Sequence, residues 1–289
     1  MHPALLGGVL LVVLAAGLAL LWRWFLKHRR AFVRGTQVAW LRLRRSAALK
    51  WLRHRYPNVW KFVAARFARG EYLGLHLTIG LLISILGLWL FGAITEDVVH
   101  QDPLTQFDIR MLEALHRDAT PAGTALFLWI SRAGSPITMT LIALAGTLLL
   151  ARRRDAMILG GWIAAFAGGA LLDSWLKVVI HRPRPAYAAA LLHHATWSFP
   201  SGHAMGALVG YGMLAYVLVL YSPPRYRLRP VIIVLAAFMI VAIGVSRLYL
   251  GVHFFSDVIG GYAAGMLWLS ACISGVEVAR RWRILRAPD

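Results

Sequence analysis

Acidic residues are what this chain has least of. Twelve Asp and Glu stand against thirty-one Lys and Arg in 289 residues, and none of the twelve precedes Glu71. Charge of either sign is also scarce, at 15% of residues, where soluble domains carry about 25%. A single cysteine, Cys272, rules out an intramolecular disulfide, and its apolar surroundings read as a small core position. The sequence offers no carboxylate cluster suited to magnesium, and no low-complexity linker, repeat or separate soluble domain. In their place are long uncharged runs. Hydrophobic residues make up 59% of the chain and the mean hydropathy is +0.64. That combination excludes a soluble enzyme and predicts an all-α, polytopic membrane helical bundle.

Seven runs are long enough to cross about 30 Å of hydrocarbon. They cover Ala4 to Trp22, Leu73 to Thr95, Gly134 to Ala151, Ala156 to Ile180, Ala204 to Tyr221, Val231 to about Tyr249, and Val258 to Val276. The first is followed, not preceded, by Arg23, Lys27, Arg29 and Arg30, which favours a retained anchor over a cleaved signal peptide. Between Arg23 and Gly70, apolar and basic residues interleave at helical spacing, as in WLRLRRSAALKWLRHRY, predicting helices that lie on the membrane surface. Residues 1–71 therefore read as an N-terminal transmembrane anchor with basic surface helices, and 72–289 as the membrane domain. Within the latter, residues 96–122 carry an amphipathic patch at Phe107, Met111, Leu112 and Leu115, suited to a membrane surface.

The net charge of +19 would suggest nucleic acid if it were spread over a soluble surface. It is concentrated instead. Residues 23–69 hold fourteen Lys and Arg, and with 152–154, 225–229 and the tail at 280–286 they account for twenty-four of the thirty-one. All fall on one side of the alternating spans, the cytoplasmic side by the positive-inside rule. The expected partner of residues 23–70 is anionic lipid at that face, not nucleic acid. The remaining seven cations are Arg110, Arg117, Arg132, Lys177, Arg182, Arg184 and Arg247. The last four cluster at span ends on the outer side, where orientation depletes cations, so they call for an anionic partner.

Three segments reach that face: KVVIHRPRP (Lys177 to Pro185), FPSGHA (Phe199 to Ala204) and SRLYLGVHFFSD (Ser246 to Asp257). They offer Lys177, Arg182, Arg184 and Arg247 as cations, His203 and His253 as bases or nucleophiles, and Asp257 as an orienter. Phosphoryl transfer needs this inventory. Arginine forks match phosphate edges, a Ser-Gly turn opening a helix adds backbone N–H donors, and a carboxylate-held imidazole can attack phosphorus.

The three segments together resemble the signature of the type 2 phosphatidic acid phosphatases, integral-membrane lipid phosphatases. Lys177 precedes Arg184-Pro185 by six intervening residues. Pro200-Ser201-Gly202-His203 follows, and Ser246-Arg247 is then spaced from His253 and Asp257 as in the family. The similarity covers about residues 72–275.

The resemblance implies a six-helix phosphatase core and assigns roles. Lys177, Arg184, Ser201, Gly202 and Arg247 would bind the phosphate. His203 would be the general acid, His253 the nucleophile forming a phosphohistidine, and Asp257 its partner. It implies no metal and no other cofactor. Arg182 is expected as an outer cation and Asp173, one turn before Lys177, as its neighbour on the helix face. The expected reaction is hydrolysis of a lipid phosphomonoester or diphosphate, such as undecaprenyl diphosphate, phosphatidylglycerol phosphate or phosphatidate. The expected place is a bacterial inner membrane with the site facing outward. A phosphotransferase using the same residues, or a non-catalytic lipid-binding scaffold, are the alternatives.

Overall fold

The computed structural model describes residues 51, 54–57, 72–101, 103–117, 119–187, 196–223 and 228–285. The expected span at Ala4 to Trp22 lies outside the described residues, as do the basic surface helices of residues 23–70 apart from residues 51 and 54–57. The chain forms two compact units, Met1–Thr78 and Ile79–Asp289. The second holds the helices that build the site.

In chain order the helices are α1 (Tyr72–His100), α2 (Pro103–Arg117), α3 (Pro121–Ala133), α4 (Pro136–Arg152), α5 (Ala156–Ile163), α6 (Gly169–Ile180), α7 (Gly202–Tyr221), α8 (Leu228–Tyr249) and α9 (Phe255–Leu285), with a π-helical turn at Ala164–Gly168 between α5 and α6. Among the described residues there is no strand. Among the described residues, six stretches are long and apolar enough to cross a membrane: His76–His100, Pro121–Arg152, Ala156–Ile180, Gly202–Tyr221, Leu228–Tyr249 and Phe255–Arg283. The all-α bundle and its six-helix core are thus as the sequence predicts. Large apolar side chains point outward along them, with Ile137 73% and Leu171 72% exposed. An outer surface of this kind is stable against lipid and would aggregate in water.

The sequence reading places no element over 121–133, yet α3 forms there. Thr120 caps it by accepting from the Gly123 N–H at 3.1 Å, and Pro121 fits the first turn, where an N–H has no helical partner anyway. Ser135 and Pro136 repeat the device for α4, with the Thr138 N–H donating to Ser135 Oγ at 3.3 Å. One span is thereby broken into two helices at Gly134. Tyr211 on α7 donates to the Ala133 carbonyl at 2.9 Å, which would otherwise be left over at the break.

The π-helical turn has a similar explanation. Trp268 Nε1 on α9 donates to the carbonyls of both Ala164 and Ala165 at 3.2 Å, satisfying acceptors that the wider turn displaces from the regular ladder. Below it, Leu150, Ile158, Trp162, Val209, Met213 and Val276 form the main apolar cluster, joining α4, α5, α7 and α9.

Helix α7 is the axis of the bundle, packing on α8, α9, α4 and α6. Gly261 lets α9 cross the start of α7. A Cβ there would lie 2.7 Å from the Ser201 carbonyl oxygen and 3.3 Å from the Met205 nitrogen, contacts only glycine permits. The amphipathic patch on α2 covers the same end of the bundle. Met111 and Leu115 pack against Ala204, Leu248 and Val258, and Phe107 meets Phe255 edge-on at 5.5 Å.

Candidate active site

Four chain segments converge at this end of the bundle: the last turns of α6, the first turn of α7, the end of α8 and the turn entering α9. Between them and α4 lies a cavity of about 670 Å³. Its polar end is lined by Asp173, Lys177, Arg184, His203, Arg247 and His253; its other walls are mostly apolar, from Met139 and Leu144 on α4 to Trp162 and Phe166, with Thr140 and Thr147 among them.

His253 sits in the turn before α9 and is 2% exposed. Asp257, four residues later in the first turn of α9, places Oδ2 3.3 Å from His253 Nδ1. The same oxygen accepts from the Phe254 N–H at 2.9 Å, the backbone half of a capping box, so one carboxylate starts the helix and orients the ring. On the other side of the imidazole, Arg184 Nη1 lies 3.2 Å from Nε2. A guanidinium can only donate, so Nε2 carries the lone pair and Nδ1 the hydrogen. Burial pushes the His253 imidazole down to about 4, against the opposing pull of Asp257 and with help from Arg247 and Arg184. Its ring is therefore neutral at pH 7, with the Nε2 lone pair turned to Arg184 Nη1 and the cavity.

Arg184 is positioned by neutral groups alone. Nε donates to the Thr196 carbonyl at 2.7 Å, Nη2 to Thr196 Oγ1 at 2.8 Å, and Nη1 to the Val252 carbonyl at 2.9 Å. Partial burial lowers its pKa from the ordinary arginine value, with the more distant Asp257 and Asp173 opposing. Arg247 enters from α8 and is held by Nη1 donating to Ser131 Oγ on α3 at 2.5 Å. Its Nε is buried without a hydrogen-bond partner, as is Ser201 Oγ. Lys177 reaches the cavity from α6, bridged to Asp173 Oδ2 at 2.6 Å. Gly202 opens α7 directly over that pair: a Cβ there would stand 2.7 Å from both Lys177 Nζ and Asp173 Oδ2. Donors and cations thus surround one space, a pattern that accepts an anion with several oxygens.

Every expected site residue except Arg182 and Ser201 lines this cavity or, for Asp257, touches one that does. Ser201 is fully buried at the start of α7, its N–H donating to the Asp257 carbonyl at 2.9 Å. Arg182 is off the cavity and faces protein carboxylates. It is 8% exposed and donates to Asp257 Oδ1 at 2.6 Å, Ser256 Oγ at 2.6 Å and Asp108 Oδ2 at 2.8 Å. Asp108, Ser131, Thr196, Ser198 and Ser256 were not singled out by sequence. Ser198 donates to Asp257 Oδ2 in a very short hydrogen bond. Asp108 had a legible signal: it is the lone acid in the apolar stripe of α2, between Leu104 and the Met111–Leu112 pair.

The sequence profile of the PAP2 superfamily matches residues 155–281. Phosphatidylglycerophosphatase B of Bacillus subtilis is 32% identical over 201 residues, covering 68% of this chain and 97% of that protein. A lipid A 1-phosphatase of Rhizobium johnstonii is 34% identical over 156 residues, 48% of this chain and 58% of the relative. The crystal structure described as the first transmembrane PAP2 type phosphatidylglycerolphosphate phosphatase from Bacillus subtilis superposes with a TM-score of 0.57 at 28% identity, over 72% of this chain and 98% of that one. The chain belongs to the PAP2 superfamily, among the membrane lipid phosphatases.

Proposed function

We propose that this protein hydrolyses a lipid phosphomonoester or diphosphate through a phosphohistidine on His253 Nε2, without a metal. The observation that carries this reading is the pairing of the two ring nitrogens: Nδ1 faces Asp257 and Nε2 faces Arg184 and the cavity.

In the first half-reaction Nε2 attacks phosphorus as the bond from phosphorus to the lipid oxygen breaks, and His203 gives that oxygen its proton. Asp257 stabilises the positive charge that the ring acquires. Lys177, Arg184, Arg247 and the N–H groups opening α7 hold the phosphoryl oxygens. In the second, His203 takes a proton from water, whose oxygen attacks phosphorus, and the N–P bond breaks to release phosphate and neutral His253.

The cavity's shape supports a lipid. From Lys177 back to Trp162 is fifteen residues along α5 and α6, roughly 22 Å at helical rise. The cationic groups lie at one end and apolar side chains along the rest. Leu144 and Ile163, both on its walls, are also exposed at the outer surface of the bundle, 61% and 46% respectively, so an acyl or prenyl chain can enter from the side. The B. subtilis relative points to phosphatidylglycerol phosphate, and the Rhizobium relatives keep a lipid A phosphate among the substrates. The site faces outward in a bacterial inner membrane on this reading. Arg152 to Arg154, Arg229 and Arg280 to Arg283 belong to the opposite end of the bundle, where Arg153 stacks over Tyr221 and Arg229 donates to the Ser222 carbonyl, and that end would be cytoplasmic.

A phosphate-release panel on purified protein tests the proposal, using phosphatidylglycerol phosphate, undecaprenyl diphosphate, phosphatidate, a lipid A phosphate and a short-chain soluble phosphomonoester, each with and without EDTA. At least one lipid should exceed the soluble ester about 100-fold in kcat/KM, since binding of a remote chain is what orients the phosphate, and EDTA should change nothing. Equal use of the soluble ester would remove the lipid reading, and loss of turnover in EDTA the metal-free one. Labelled phosphate should appear in water; its appearance in a second lipid would mark a phosphotransferase.

The pH profile supplies a separate check. A depressed imidazole pKa means the neutral nucleophile persists to lower pH. Once corrected for the substrate's own second ionisation near pH ~6, the acidic limb of kcat/KM, which reports the nucleophile, should fall at about 4 and not in the ordinary histidine range, while a fall at higher pH reports His203 losing the proton it donates. A corrected acidic limb near the ordinary value of 6.5 would mean that His253 is not buried as described.

A further inference from the structure

We infer that Asp108 on α2 is a positioning residue for the reaction: it balances the charge of Arg182, so that Arg182 can hold Asp257 without withdrawing its negative charge from His253. The inference rests on the proposed role of His253 as nucleophile.

Arg182 is wedged between two carboxylates. One edge donates to Asp257 Oδ1 at 2.6 Å and the other to Asp108 Oδ2 at 2.8 Å, with Phe254 stacked over the guanidinium at 4.3 Å. Asp108 and Asp257 are 1% and 0% exposed, so water does not screen either charge. An arginine alone on Asp257 would leave a neutral pair behind the imidazole, a poor stabiliser of a ring that turns positive when Nε2 bonds to phosphorus. Adding Asp108 restores one net negative charge to the group, and Oδ2 of Asp257 directs it at Nδ1. The guanidinium then serves as a rigid brace and no longer competes with the histidine.

Asp108 also fixes where this brace stands. Its Oδ1 accepts from the Ser256 N–H at 2.9 Å and its Oδ2 from Ser256 Oγ in a very short hydrogen bond. The Ser256 N–H is one of the first donors of α9, which has no partner within its own helix. A carboxylate from α2 therefore caps α9 from outside, one residue before Asp257, and the charge suits a helix N-terminus. Docking α2 onto the bundle is what completes the set behind His253.

The test is a double-mutant cycle on the full-length protein, with kcat expressed per active site counted from the phosphoenzyme burst. Asp108→Asn should lower kcat about 30-fold and Arg182→Gln about 100-fold, each leaving KM within about twofold, since neither residue lines the cavity. Asp108→Glu should recover part of the loss. The decisive variant is Asp108→Asn with Arg182→Gln, which removes one charge of each sign and should come back to within about tenfold of wild type.

A residue that merely supports the fold would show the opposite, a double variant worse than either single one. That result, or wild-type kcat in Asp108→Asn, overturns the inference. Should a single variant fail to fold, the double variant decides alone: it must fold and turn over, and if it does not, the inference is wrong. Turnover by His253→Ala would instead sink the phosphohistidine reading on which this rests.

Discussion

His253→Ala is expected to abolish phosphate release, by about 10⁴-fold or more, while leaving a folded protein. The size follows from losing the atom proposed to form the covalent intermediate, for which removal of a nucleophile elsewhere gives losses of that order or larger. Survival of the fold follows from the partners of Asp257. With the imidazole gone, its carboxylate still accepts from Arg182, from Ser198 Oγ and from the Phe254 N–H. The substitution therefore strands no charge, and the penalty is that of a buried cavity, about 2–4 kcal/mol. Inorganic phosphate release and gel filtration in detergent measure the two halves of the expectation. Acid quenching of wild type with labelled substrate should trap an acid-labile phosphoenzyme that the variant lacks. A monodisperse variant retaining more than about 1% of turnover would exclude His253 as the nucleophile.

The second large effect is expected at Arg184, and it separates two arginines that the sequence leaves side by side in Arg182-Pro-Arg184-Pro. Arg184→Lys should lower kcat/KM by about 10²- to 10³-fold, with most of the loss in kcat. Arg184 holds Thr196 twice, the Val252 carbonyl and His253 Nε2, all neutral partners. Its positive charge is therefore free for the phosphoryl oxygens, and its fork ties the segment at Thr196 to the turn carrying His253. A lysine keeps the charge and can keep at most one or two of those bonds. Arg182 differs because two buried carboxylates already neutralise it. If Arg184→Lys retained near-wild-type kcat, charge alone would suffice and the fork geometry would be irrelevant.

Much of the bundle was legible because the bilayer imposes a simple rule on sequence. A span must be long, uncharged and helical, so α1, α4, α5–α6, α7, α8 and α9 each correspond to an apolar run. The exceptions are informative. Helix α3 was missed because the 96–133 region mixes polar and apolar residues and its start depends on a Thr-Pro cap at 120–121, a local signal weaker than hydropathy. The π-helical turn at Ala164–Gly168 has no signature of its own, since it is stabilised by Trp268, about a hundred residues away.

For the site, sequence could name the residue types and their spacing because the chemistry of phosphate demands cations, imidazoles and a helix N-terminus near one another. Lys177, Arg184, His203, Arg247, His253 and Asp257 were all legible in that way. What it could not supply was pairing. Asp108 and Arg182 are separated by more than seventy residues, and Ser131 and Arg247 by more than a hundred. No periodicity relates such residues, and only packing brings them within hydrogen-bond distance.

The sequence by itself determined that this is a helical membrane protein with a cluster of cations and histidines at one end, because lipid tolerates no other backbone and uncompensated charge is costly there. Only the tertiary structure decided which of those charges are free. It sets Arg184 among neutral acceptors and Arg182 between Asp108 and Asp257, and it turns the Nε2 lone pair of His253 toward the cavity. Free charge and lone-pair direction are properties of neighbours in space, and they exist only once α2, α7, α8 and α9 have packed.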